Sequence, residues 1–403
     1  MTLAISKTKI YEPLTTSGAI NLLKELDFFK KDSLLTCNEI GDGNLNLVFQ
    51  VAEPQSGKSC IIKQALPYAK VVGESWPLTL SRAKIEADAL KLYKEHVPQF
   101  VPEIYYTNDD LAITVMEDLS SLKITRKGLI AGEEYPHLPN HLGEFLAKTL
   151  FYTSDFYLEP PAKKILARKF SNPELCKITE DLVFTDPFFN SDTNDFEPEL
   201  FDDVQSLWND FSLKLEVAKL KKSFLTESEA LIHGDLHTGS IFSDQSTTKV
   251  IDPEFAFFGP IGFDIGQFFA NLIFQLLSNP KEKEKLISGY IAEAWNTFEK
   301  TYSDLWRKES REKYTEVDGY LDYVLKKIFQ DAVGFAGCEL IRRTIGLAHV
   351  EDLDGICDKH LRITAKKASI QLGREFIKTR GLQTGPESIL PLLSETAAYA
   401  GIK

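Results

Sequence analysis

Basic residues are in short supply: 46 lysines and arginines face 59 aspartates and glutamates, a formal net charge of −13 over 403 residues. Binding to nucleic acid normally needs a basic face, so the balance argues against it, and an anionic ligand must be met by a locally basic pocket. Cysteines are few and scattered (Cys37, Cys60, Cys176, Cys338 and Cys357), odd in number and without paired spacing. A zinc site and a disulfide framework are therefore not expected, and a reducing cytoplasm fits best. No long apolar run is present. The most apolar stretch, Phe255 to Leu277, is broken by Gly259-Pro260, Gly262, Asp264 and Gly266, which reads as a loop and a buried helix and not as a membrane span. Lys7, Lys9 and Glu12 interrupt Met1 to Pro13, so no signal-peptide core is expected there. Repeats and low-complexity tracts are missing too. The 43% hydrophobic content, at this length, is enough to bury a substantial core and to build two lobes.

Two acidic motifs stand out. His233-Gly234-Asp235-Leu236-His237 follows the apolar Ala230-Leu231-Ile232, and Asp252-Pro253-Glu254 follows Lys249-Val250-Ile251. Each acidic group thus falls at the end of a short buried strand, where a rigid scaffold presents chemistry. Ile241 to Asp244 and the turn Gln245-Ser246-Thr247-Thr248 predict a hairpin that sets the two clusters side by side. Asp235 is suited to accept a proton, and Asp252 and Glu254 to hold a metal. Acidic turns that merely solvate their carboxylates are the bland alternative, but His-x-Asp closing one strand and Asp-x-Glu closing another is a specific pairing.

The first part of the chain reads as a small β-rich lobe. Leu34 to Ile40, Leu45 to Val51 and Ser59 to Gln64 predict a three-stranded meander, with turns at Gly41-Asp42-Gly43-Asn44 and Pro54-Gln55-Ser56-Gly57. A loop from Val72 to Thr79 carries Trp76-Pro77, and a helix capped by Ser81 follows. Strands are expected at Glu103 to Thr107 and Leu111 to Met116, and the polar Glu117 to Ser121 marks a hinge. Beyond Leu122 the pattern is mainly helical, at His141 to Phe156, Leu200 to Lys222, Gly266 to Leu277, Lys283 to Lys300 and Leu321 to Val350. Thr185 to Glu199 reads as an ordered surface loop. The expected division is residues 1–119 for the first lobe and 120–403 for the second.

Gly41-Asp42-Gly43-Asn44 joins two strands and not a strand to a helix, which separates it from the dinucleotide fingerprint and the P-loop. Glycines there let backbone amides approach phosphate oxygens, although the same residues make a good hairpin turn. Lys63 ends Ile61-Ile62-Lys63 on a following strand, and Glu86 lies on the next helix. A lysine and a glutamate in that order position the α- and β-phosphates in kinase-type folds. The plain alternatives are a solvent-facing edge lysine and an exposed helix glutamate weakly paired with Lys84 or the neighbourhood of Lys91.

These residues, in this order over nearly the whole chain, resemble the small-molecule kinases of the protein-kinase-like superfamily, which includes aminoglycoside phosphotransferases, choline kinases and methylthioribose kinases. Within that group the S-methyl-5-thioribose kinases are the most similar, on Gly41-Asp42-Gly43-Asn44-Leu45-Asn46, Trp76, His233 to Ser240, Asp252-Pro253-Glu254-Phe255 and Arg342-Arg343. The resemblance implies an α+β bilobal fold with a small antiparallel sheet in the N-lobe and a larger, mainly helical C-lobe. It also implies ATP-dependent phosphorylation of the anomeric hydroxyl of methylthioribose in methionine salvage, by a cytoplasmic homodimer using ATP and Mg2+. Carried over residue by residue, Asp235 is the catalytic base and Asp252 and Glu254 hold the metal. Gly41, Asp42, Gly43, Asn44, Lys63, Glu86, Glu117 and Leu119 are expected to bind the nucleotide, the last two at the hinge, where backbone groups meet adenine. Asn44, Asp235, Arg342 and Arg343 are expected to bind the acceptor. Ser240 departs from the wider kinase pattern, because protein kinases and most phosphotransferases place a metal-binding asparagine five residues after the catalytic aspartate.

Adjacent arginines on a helix point about 100° apart, so Arg342 and Arg343 serve one site only near a helix end or bend. Alternatively one of them snorkels or caps a helix C-terminus. Gly334 and Gly337, three apart, predict close packing of their helix. Another small hydroxyl compound (an aminoglycoside, choline or a homoserine-type acceptor) and a non-catalytic ATP-binding scaffold are the competing readings. The twin arginines argue against cationic acceptors, and retention of Lys63, Asp235 and Asp252 argues against the scaffold.

Overall fold

The computed structural model describes residues 11–40, 45–69 and 73–401. Gly41, Asp42, Gly43 and Asn44, expected above to approach phosphate, lie outside the described residues. The chain divides into two compact units, Met1–Leu122 with Ile251–Phe255 and Lys123–Val250 with Ala256–Lys403.

In the first unit, α1 (Thr16–Glu25) starts where the Thr15 hydroxyl accepts from the Gly18 amide at 3.1 Å. Strands β1 (Thr36–Glu39), β2 (Asn46–Glu53) and β3 (Lys58–Ala65) form the expected antiparallel meander. A short hairpin of β4 (Tyr68–Ala69) and β5 (Gly73–Pro77) follows, then α2 (Ser81–His96), β6 (Ile104–Asn108) and β7 (Ile113–Met116). The main sheet runs β1-β2-β3-β7-β6. Leu22 and Leu23 of α1 pack with Phe49, Val51, Ile62, Ile113 and Val115, a core in which each buried large side chain contributes about 1.5–3 kcal/mol. Two local expectations fail here. The stretch expected as a loop around Trp76-Pro77 forms β5, because Pro77 ends a strand that pairs back on Tyr68. Ser81 is the first helical residue, and the cap position falls to Leu80, whose side chain offers no acceptor.

The second unit begins with β8 (Lys123–Ile124) and α3 (Thr125–Ile130), followed by α4 (Leu138–Tyr152), α5 (Pro160–Lys169), α6 (Pro173–Leu182), α7 (Phe201–Trp208) and α8 (Phe211–Thr226). The single helix expected from Leu200 to Lys222 is two, because the Asp210 carboxylate accepts from the Leu213 amide and starts α8 afresh. Next come β9 (Ala230–Ile232), β10 (Ile241–Ser243), β11 (Thr248–Val250) and β12 (Phe257–Gly259). The expected β10–β11 hairpin is present, but β9 does not join it. Instead β9 pairs with β12, and β10 pairs on its other edge with β8, so the strands preceding the two acidic motifs belong to different sheets.

The unit closes with α9 (Gly262–Ser278), α10 (Pro280–Glu309), α11 (Tyr320–Ile345), α12 (Glu351–Asp354), α13 (Lys359–Thr379) and α14 (Pro386–Ala400). Every residue of α9 from Gly262 to Leu277 is buried, as its near-continuous apolar sequence requires. It packs on α11, which in turn packs on α13. A Cβ at Gly337 would stand 2.6 Å from the Gly373 carbonyl oxygen, so α11 and α13 touch backbone to backbone. That contact fixes the helix carrying Arg342 and Arg343. Among the described residues no helix is long and apolar enough to cross a membrane.

Candidate active site

In the first unit β3 places Lys63 between Val48 of β2 and Thr114 of β7. Its Nζ donates to Glu86 Oε1 of α2 at 2.8 Å and to Asp252 Oδ1 at 2.5 Å. Burial works to lower the lysine pKa, but the carboxylates of Asp252, Glu86 and Glu254 outweigh it and hold Lys63 above the usual lysine range. The weak Lys84 partnership considered for Glu86 does not form; Lys84 pairs with Asp109 and Asp88.

Arg82, not singled out from the sequence, organises this cluster. It is fully buried, and a guanidinium has five N–H groups to satisfy. Nε donates to Glu254 Oε2 at 3.1 Å, Nη1 to the carbonyls of Leu66 and Thr79 at 2.8 Å each, and Nη2 to the Leu45 carbonyl at 2.5 Å and Asn46 Oδ1 at 3.2 Å. Asn46 Nδ2 also donates to Glu254 Oε2, at 3.4 Å. One side chain therefore ties down the residues that follow the glycine turn, the start of α2 and the Asp-Pro-Glu turn.

Asp252 sits at φ 64°, a left-handed conformation that aspartate tolerates better than most residues. Its side chain is 42% exposed and that of Glu254 only 10%. Among the described residues no cluster of three or more metal-ligating side chains exists. A hard cation that draws most of its ligands from water and phosphate fits such a donor set, with Asp252 the accessible carboxylate. Glu254 already neutralises Arg82, which makes it the poorer ligand. Glu117 and Leu119 follow β7; the Glu117 carboxylate accepts from the Glu103 amide at 3.1 Å and Leu119 is buried.

The second unit assembles the other residues. Asp264, in the first turn of α9, accepts from the amides of His233 at 2.6 Å and Gly234 at 2.9 Å, and Gln267 one turn on accepts from the Leu236 amide at 2.9 Å. The loop bearing Asp235 is thus clamped from behind by one helix. His233 Nδ1 accepts from the Asp235 amide at 3.3 Å. His237 Nδ1 accepts from the amides of Gly239 and Ser240 at 2.9 and 3.0 Å, so the ring proton is on Nε2, which faces Asp235 Oδ2 at 3.4 Å. Ser240 Oγ lies 3.1 Å from the Asp235 carbonyl oxygen and 2.9 Å from that of His237, and accepts from the His237 amide. This hydroxyl braces the loop.

Arg342 and Arg343 occupy the last turn of α11, as a shared site requires. Glu339 lies three residues before one and four before the other, and therefore on the side of the helix between them. Its carboxylate takes Arg342 Nε at 2.6 Å and Arg343 Nε at 2.8 Å. Their Nη2 atoms then stand 3.7 and 3.6 Å from Asp235 Oδ1. Burial tends to raise the Asp235 pKa, yet His237, Arg343 and Arg342 hold it well below the usual carboxylate range. Asp235 is therefore an ionised acceptor inside a basic pocket, in a protein whose overall charge is acidic.

Comparison with known proteins follows the same lines. The chain matches the model of the phosphotransferase enzyme family over residues 36–297. It is 59% identical to a methylthioribose kinase of Geobacillus sp. (strain WCH70) over 396 residues, covering 98% of this chain and 99% of the relative. Over 394 residues it is 58% identical to the methylthioribose kinase of Geobacillus thermodenitrificans (strain NG80-2), covering 98% of this chain and all of that one (100%). The methylthioribose kinase of Bacillus thuringiensis (strain Al Hakam) is 56% identical over 393 residues, covering 98% of this chain and 99% of the relative.

Proposed function

The chain belongs to the phosphotransferase enzyme family and, within it, to the methylthioribose kinases, and from that premise we propose that it transfers the terminal phosphoryl group of ATP to the anomeric hydroxyl of S-methyl-5-thioribose. The product is the 1-phosphate, and the step belongs to methionine salvage. The observation that carries the reading is the pocket of Arg342, Arg343 and His237 around the ionised Asp235. Cationic acceptors such as choline or an aminoglycoside would meet two guanidinium groups there, whereas a neutral sugar with several hydroxyls meets hydrogen-bond donors.

Asp235 accepts a hydrogen bond from the attacking hydroxyl and orients it. Its strongly depressed pKa makes it a weak base, so the proton leaves late, as suits a reaction governed by positioning and charge neutralisation. Lys63, aligned by Glu86, neutralises the α- and β-phosphates. Asp252, with Glu254 in a lesser part, would hold magnesium, which supplies charge neutralisation at the triphosphate oxygens. Gly41 to Asn44 are assigned to phosphate binding, Asn44 also to the acceptor, and the backbone of Glu117 to Leu119 to adenine. The enzyme works in the cytoplasm as a homodimer. A panel of methylthioribose, choline, homoserine and an aminoglycoside, each with ATP and magnesium, tests the assignment by ADP release. Release with methylthioribose alone is expected; preference for another acceptor would overturn it.

A further inference from the structure

Arg126, in the first turn of α3, has no part in the reaction described so far. Its side chain is 16% exposed and is held from behind: Nη2 donates to Asn271 Oδ1 of α9 at 2.6 Å, and Nε faces Asp352 Oδ2 of α12 at 3.2 Å. Asp352 is itself fixed by Gln275, whose Oε1 accepts from Lys283 at 2.6 Å. Nη1 is engaged by neither anchor and, among the described residues, donates to no acceptor.

The place of Nη1 is marked by Gly239. A Cβ on that glycine would lie 3.1 Å from Arg126 Nη1 and 2.8 Å from His237 Cε1, so the guanidinium and the imidazole that faces Asp235 both border this one glycine. Arg343 also has a carboxylate behind it, Glu339, which accepts a hydrogen bond from its Nε, whereas Arg126 Nε and Asp352 Oδ2 form an ion pair without a hydrogen bond; Nη2 of Arg343 is left toward Asp235. Burial, then the like charge of Arg343, lowers the Arg126 pKa against the pull of Asp352 and Asp235. Two guanidinium groups, each with its own carboxylate behind it, with Arg126 Nη1 clear of its anchors and Arg343 Nη2 turned toward the reacting end at 3.6 Å from Asp235 Oδ1, have the chemistry of a site for a doubly charged oxyanion.

We infer that Arg126, acting with Arg343, binds the phosphate of the phosphorylated sugar, so that it recognises the product and the transferring phosphoryl group and not the neutral acceptor. This rests on the sugar-kinase reading above. A neutral hydroxyl brings no charge to these guanidinium N–H groups, whereas a phosphate monoester makes charge-assisted hydrogen bonds with both.

The test is calorimetric titration of the full chain, without ATP, with methylthioribose, with its 1-phosphate and with inorganic phosphate. Arg126→Gln is expected to weaken the 1-phosphate by about tenfold or more, the effect of losing a charge-assisted hydrogen bond, and the neutral sugar by about threefold or less. Arg126→Lys, which keeps the charge, should recover part of the 1-phosphate affinity and serves in its own right if the glutamine variant fails to fold. In steady state, product inhibition should weaken with the KM for sugar nearly unchanged. Equal losses for sugar and 1-phosphate, or none for either, would overturn the inference, as a purely structural arginine would give. Inorganic phosphate separates the two readings: if the parent binds it through Arg126 but does not phosphorylate methylthioribose, the acceptor is misassigned and the phosphate subsite stands.

Discussion

Substituting Arg82 by methionine keeps an unbranched stem of similar volume and removes all five N–H groups. Glu254, with a side chain only 10% exposed, would then be a buried carboxylate without its guanidinium partner, and the carbonyls of Leu66, Thr79 and Leu45 would lose their donors. Removing one partner of a buried pair costs ~3–5 kcal/mol, chiefly because the other charge is left uncompensated. About 4 kcal/mol is therefore expected for Arg82→Met, read by equilibrium urea denaturation as a lowered midpoint at unchanged slope. If the uncompensated charge is the cause, removing it should restore stability. Glu254→Gln in the Arg82→Met background should recover ~2 kcal/mol or more, and the double-mutant cycle should show strong coupling. A loss below ~1 kcal/mol, or additive effects of the two substitutions, would refute the view that this arginine holds the Asp-Pro-Glu turn.

Asp235→Asn should lower kcat by ~10²–10⁴ with ATP affinity nearly intact, since it removes a positioned base and no nucleotide contact; turnover within a few-fold of the parent would exclude that role. In a magnesium titration Asp252→Ala should shift the requirement further than Glu254→Ala, because Glu254 is already engaged by Arg82, and the reverse order would show Glu254 to be the principal ligand. Arg342→Lys and Arg343→Lys should each reduce kcat/KM for methylthioribose by ~10-fold or more through loss of planar geometry, with ATP binding less affected; parental kinetics in both would detach the arginines from the acceptor. Burial, with Arg126 and against Asp235, lowers the His237 pKa, so between about pH 6.5 and the lower folded value the unfolded chain binds a proton that the folded chain does not. Stability should thus rise with pH through that window and fall as pH drops, and His237→Gln should flatten the rise; an unchanged slope would contradict it.

The sequence by itself determined the chemistry-bearing motifs, because each is a local pattern. Apolar residues run into His233-Gly234-Asp235 and into Asp252-Pro253-Glu254, Lys63 follows two β-branched residues on a strand, and Arg342-Arg343 sit near the end of an apolar helix. The antiparallel meander was legible for the same reason, since period-two alternation and turn residues are short-range signals. Features that depend on neighbours remote in sequence were not. Ser81 looked like a cap until Leu80 took that position, and nothing in the sequence showed that β9 pairs with β12 while the β10–β11 hairpin joins β8. Arg82 read as one more charge on a polar helix, and Arg126 carried no signal at all. Their partners, Glu254 for one and Asn271 and Asp352 for the other, are brought close only by folding, and pairing at such separations leaves no periodicity to read. Sequence also left Arg342 and Arg343 pointing apart on their helix; Glu339, three and four residues earlier on that helix, gathers both by local spacing, and only the tertiary structure stands Asp235 in front of them.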